Sequence, residues 1–144
     1  MEPIKGAIES YKQLSQKYDT YILSTAPWKN SSGWSDKNEW VKKYLGDVAH
    51  KRLILSHHKN LNYGHYLIDD RLANGADLFK GEHIYFGSDE FPNWDSRALM
   101  TLMGISMSQT IRCYLRVSFN SFSPYLISYN YICSNTFCHA LVGT

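Results

Sequence analysis

The chain has 144 residues, a net charge of +2, 44 % hydrophobic and 19 % charged residues. That composition excludes a disordered chain, allows a single domain with a real core, and is too weakly basic to imply a nucleic-acid polymer as partner. No run of 18 apolar residues is present, and Met1–Gly6 lacks the apolar segment of a secretory signal, so a cytoplasmic globular domain away from membranes is expected.

Charge is distributed unevenly along the chain. Residues 1–96 hold twelve basic and thirteen acidic residues, a net of −1, whereas 97–144 hold only Arg97, Arg112 and Arg116. All three cysteines, Cys113, Cys133 and Cys138, fall in the second part, with spacings that match no metal template. Domain surfaces ordinarily mix charges of both signs. Residues 97–144 therefore read as an atypical low-charge tail: a small β-rich or membrane-associated segment, or a stretch foreign to the domain, as an out-of-frame extension would be. The lack of a sustained hydrophobic period favours the second reading, in which the tail stays outside the folded core.

Residues 1–96 alternate helical and strand patterns. Ile4, Ala7, Ile8, Tyr11, Leu14 and Tyr18 recur at three- and four-residue steps, predicting a helix that starts near Pro3. Tyr21–Ser24 is a short strand stopped by Thr25-Ala26-Pro27. A second helix carries Trp40, Val41, Tyr44 and Leu45 and closes at Gly46. Further strands are expected at Arg52–Ser56, Tyr66–Ile68 and His83–Phe86. This order predicts an α/β fold with parallel βαβ units, in which ligands bind beyond the carboxyl ends of the strands.

Those ends carry Ser24-Thr25-Ala26-Pro27, Ser56-His57-His58-Lys59 and Asp69-Asp70-Arg71. A hydroxyl, an ammonium and two carboxylates converging on one sheet edge suit a phosphate group and a hard divalent cation. Singly, each is also what an ordinary helix cap or solvated loop provides. Adjacent His57 and His58 would point to opposite faces of a strand and cannot readily share an ion. No Walker loop, Gly-x-Gly-x-x-Gly or Gly-x-Ser-x-Gly is present.

Taken together, Ile22–Trp28, Trp40–Gly46, His58–Leu61, Leu67–Arg71 and Phe91–Trp94 resemble successive blocks of the 5′(3′)-deoxyribonucleotidases, within the haloacid dehalogenase-like phosphatase superfamily. The resemblance covers about residues 3–95. It implies a three-layer Rossmann-like core, Mg²⁺, and hydrolysis of nucleoside monophosphates through an aspartyl-phosphate. It implies Thr25 as the phosphate-binding hydroxyl, Lys59 as the lysine that stabilises the transferring phosphoryl group, and Asp70 as a Mg²⁺ ligand. Asp69 beside it would orient the lysine or a metal-bound water. Ala26, Trp28, Lys29 and His57 fall where substrate contacts lie, although relatives can carry an arginine in place of His57.

One departure is decisive for chemistry. The family's first motif, Asp-x-Asp on the central strand, supplies the nucleophile and general acid, and no Asp-x-Asp occurs in these 144 residues. The pattern is a partial core, residues 1–96, without its first strand and cap. Two functions follow: a deoxyribonucleotidase whose full-length form restores the motif, or an inactive fragment that acts at most as a phosphate-binding or interaction module. A homodimer is compatible with either.

Overall fold

A stripe of Ala7, Ser10, Tyr11 and Leu14 is buried along helix α1, Ala7–Lys17, in a computed structural model that describes residues 2–94 and 112–116. The helix starts after Gly6, four residues later than the Pro3 signal predicts. Gly6 adopts a left-handed φ of 83°, which breaks the helical path and makes Ile4–Ala7 a separate turn. Strand β1, Asp19–Ser24, follows directly. Helix α2, Ser32–Leu45, buries Gly33, Trp40, Val41 and Leu45 and stops at Gly46, whose φ of 54° suits glycine. A one-turn 3-10 helix, Gly46–Ala49, leads to β2, Leu53–Leu55. A second short 3-10 turn, Lys59–Leu61, precedes β3, Tyr66–Asp69, and β4 spans Glu82–Tyr85. Strand β5 is Arg112–Leu115.

The sheet is entirely parallel, in the order β2-β1-β5-β3-β4. Side chains alternate across it with the period-2 rule of strands. Ile22, Ile68, Cys113 and Leu115 pack with Tyr11, Leu14, Trp40 and Val41 of the two helices. Leu23, Leu67 and Tyr114 face the other way, onto Ala76 and Phe79 from the β3–β4 connection. The fold is thus the expected α/β Rossmann-like type. Among the described residues, helices cover one face and an irregular connection covers the other.

The expectation that nothing after Ser96 joins the core is overturned at Arg112–Leu115. This strand pairs with Asp19–Ile22 on one side and with Tyr66–Ile68 on the other, filling the centre of the sheet. The rest of the tail, with Cys133 and Cys138, lies outside the described residues. Two features seat β5. Arg112 Nε donates to Asp19 Oδ2 at 2.8 Å, and the same carboxylate pairs with Arg52, so Asp19 ties the entry points of three neighbouring strands. Gly64 leaves room for Tyr114, since a Cβ there would sit 2.5 Å from the ring. Tyr114 also donates its hydroxyl to the Tyr63 carbonyl at 3.0 Å.

Connections from β1 to β2 and from β3 to β4 run outward in opposite directions from the centre. That reversal opens a crevice above the carboxyl ends of β1, β5 and β3.

Candidate functional site

The crevice is built from four strand ends. β1 ends in Ser24 and continues to Thr25, β2 leads to Ser56 and His57, β3 ends in Asp69, and Arg116 follows β5. The ladder continues one bond past each of two strands: Ser56 N donates to Ser24 O, and Arg116 N to Ile68 O, each at 2.9 Å. The sheet register, rather than loop flexibility, fixes where these groups stand.

At the centre, Lys59 Nζ donates to Asp69 Oδ2 in a fully buried ion pair. The lysine is held by its backbone N–H on the Asn74 carbonyl at 2.9 Å, and Asn62 caps the short turn that carries it. Burial strips water from the ammonium and pulls its pKa below the ordinary lysine value; the facing Asp69 carboxylate opposes that shift. Asp69 Oδ1 accepts from the Arg71 backbone N–H at 3.0 Å and from Arg116 Nη1 at 3.2 Å. The same Arg116 nitrogen donates to Asp70 Oδ1, so one guanidinium bridges both carboxylates.

Lys37, from α2, donates to Ser24 Oγ at 2.9 Å. Its pKa is lowered to about 7, first by burial and then by the positive charges of Arg116, Lys59 and Arg71. Thr25 directs its hydroxyl to the Ser56 carbonyl at 3.0 Å. Ala26, the next residue, is fully buried. Trp28 is 81 % exposed, and its ring meets His57 edge-on at 5.9 Å; Trp34 lies 6.0 Å from the same imidazole. Lys29 is exposed on the adjoining loop.

The structure therefore brings Lys59, Asp69 and Asp70 together. Thr25 follows β1, which β5 separates from β3, and reaches the Ser56 carbonyl, while Trp28 and His57 meet each other. Sequence reasoning missed Lys37 and Arg116. Lys37 was findable: it stands midway between Gly33 and Val41 at four-residue steps, on the buried line of α2. Arg116 left no local signal. A groove of about 760 Å³ also opens between α2 and the β2 edge, but its lining (Trp34, Val41, His50 and Leu53 among others) includes none of these charged groups.

Chemically, the crevice offers ammonium and guanidinium donors in a partly dry setting, which suits an oxyanion. A divalent cation fits it poorly. Both oxygens of Asp69 and one of Asp70 already accept from Lys59, Arg71 or Arg116. Among the described residues, no group of three or more His, Cys, Asp or Glu side chains could hold a metal ion.

Residues 1–95 match the family described as 5′ nucleotidase, deoxy (Pyrimidine), cytosolic type C protein. The chain belongs to that family. It is 64 % identical over 96 residues to a putative 5′(3′)-deoxyribonucleotidase of Vibrio phage KVP40, covering 67 % of this chain and 56 % of the relative. A putative 5′(3′)-deoxyribonucleotidase of Bordetella parapertussis is 35 % identical over 88 residues, 60 % of this chain and 47 % of that protein. The 5′(3′)-deoxyribonucleotidase of Bacillus subtilis is 30 % identical over 83 residues, covering 58 % and 47 %. The chain thus spans about half the length of these curated relatives. No solved structure matches. No helix among the described residues is long and apolar enough to cross a membrane.

Proposed function

We propose that this chain carries the phosphate-recognition part of a 5′(3′)-deoxyribonucleotidase and binds the phosphate group of a nucleoside monophosphate at the carboxyl ends of β1, β5 and β3. The observation that carries this reading is the buried Lys59–Asp69 pair, flanked by Lys37 and Arg116. An ammonium held dry at a strand end stabilises phosphoryl oxygens far more than an exposed one would. Thr25 and the backbone at Ala26 would complete the cradle. The exposed Trp28 face would stack the base, with Lys29 and His57 beside it. The names of the relatives support a nucleotide as the ligand.

Hydrolysis needs a nucleophile, and the central strand here is followed by Arg116 where a covalent route requires a carboxylate. We infer that the 144-residue chain binds without turning over. In a form whose central strand ended in carboxylates, Asp70 would act as a Mg²⁺ ligand and the aspartyl-phosphate route implied by the family would open. The family description is of a cytosolic protein, and we propose that compartment here.

Isothermal titration with deoxyuridine monophosphate, deoxyuridine and inorganic phosphate tests the reading. The monophosphate should bind, inorganic phosphate should compete, and deoxyuridine should bind at least tenfold more weakly. Trp28→Ala should weaken the monophosphate but not inorganic phosphate. Equal binding of nucleoside and nucleotide would discard the proposal, and clear release of phosphate by the purified chain would discard its inactive form.

A further inference from the structure

Arg116 does more than add positive charge to the crevice. Its Nη1 stands within hydrogen-bond reach of Asp69 Oδ1, at 3.2 Å, and of Asp70 Oδ1. A cation that spans two adjacent carboxylates is the arrangement a hard metal ion would otherwise make. The guanidinium is already there. Its side chain is only 16 % exposed, and its backbone is locked by the N–H of Arg116 on the Ile68 carbonyl. The carboxylates it bridges are themselves constrained: Asp69 is fully buried and also holds Lys59, and Asp70 directly follows β3.

Two physical terms then oppose a divalent ion. Coordination would require breaking charge-assisted hydrogen bonds from Arg116 that are partly shielded from water. The incoming double charge would also sit beside Arg116 and Lys59, with Lys37 and Arg71 near enough to perturb the same field. Like charges in a partly buried crevice repel much more strongly than on an open surface.

We propose that Arg116 is a built-in counter-cation that keeps divalent metal off Asp69 and Asp70, making this a site that meets its oxyanion without a metal. The identity of the oxyanion rests on the reading given under Proposed function. Exclusion of metal does not, and it is measurable with metal alone.

The experiment is a Mn²⁺ titration of the purified 144-residue chain without nucleotide, reading free Mn²⁺ by electron paramagnetic resonance. The native chain and Asp70→Asn should bind Mn²⁺ equally weakly. Arg116→Gln should bind at least tenfold more tightly, and adding Asp70→Asn to it should abolish the gain. A tenfold loss of Mn²⁺ affinity on Asp70→Asn in the native background would overturn the proposal. So would an Arg116→Gln chain that folds, by its circular dichroism spectrum, and binds Mn²⁺ no better than native. If Arg116→Gln does not fold, the comparison of native with Asp70→Asn still exposes the proposal to refutation, because a tenfold loss there overturns it.

Discussion

Lys59 and Asp69, ten residues apart in sequence, form an ion pair whose side chains are 1 % and 0 % exposed. Such a pair contributes little net stability as a unit, because desolvating both charges offsets their attraction, yet removing one partner leaves the other uncompensated. Lys59→Met should therefore destabilise the chain by about 3–5 kcal/mol. The double variant Lys59→Met/Asp69→Leu should recover a large part of that loss. Urea denaturation of the two variants checks this, and a double variant no more stable than the single one would refute it.

Lys37 should titrate near neutrality. Its folded pKa of about 7 lies below the ordinary 10.5, so the unfolded chain binds the extra proton between those values. Stability attributable to this group is lowest below pH 7 and rises as pH increases from about 7 to 10.5. Bound phosphate should raise the pKa by stabilising the ammonium. Nuclear magnetic resonance of the lysine side chain across pH, with and without inorganic phosphate, reads both effects.

Cys113 has the opposite sign. Burial, and then the charge of Asp19, push its thiol from 9.0 to about 12. The folded chain keeps a proton that the unfolded chain loses, so stability present below pH 9 is lost progressively between 9 and 12. Tyr11, raised from 10.0 to about 12 chiefly by burial, acts in the same direction. We expect stability to rise from pH 7 to 9, to flatten where Lys37 and Cys113 cancel, and then to fall. Cys113→Ala should reduce the alkaline slope by on the order of 1.4 kcal/mol per pH unit, the effect of one proton. An unchanged slope would show that the thiol is not buried as described.

Leu115 distinguishes a core strand from an appended one. It is 1 % exposed and pairs with both Ile22 and Ile68. Leu115→Ala should cost about 2–5 kcal/mol, the range for emptying a core position. Leu67→Ala, at a residue of known strand character, gives the internal scale. A silent Leu115→Ala would remove β5 from the sheet. Hydrogen exchange supplies an independent reading: the amides of Tyr114 and Leu115 should be protected like those of Ile22 and Leu23.

Local chemistry was enough to read β1, α2, β3 and the approximate place of β4. Tyr21–Ser24 and Tyr66–Ile68 are short runs of strand formers bounded by turn residues, and Gly46 marks the end of α2 by its backbone freedom. The carboxyl-end rule then points to Thr25, Lys59, Asp69 and Asp70 without any knowledge of contacts. Composition misled over Arg112–Leu115. The tail lacks lysine and acid, but a four-residue strand buried on both faces needs neither, and its pairing with β1 and β3 spans more than forty residues of sequence. Nothing local in Arg-Cys-Tyr-Leu says that Gly64 has made room for Tyr114 or that Asp19 awaits Arg112. The α/β alternation and the polar residues that end the strands are written in the chain's local pattern, because periodicity and turn chemistry are local. The bridge from Arg116 to Asp69 and Asp70 is a product of folding, because that contact exists only once β5 has taken the centre of the sheet.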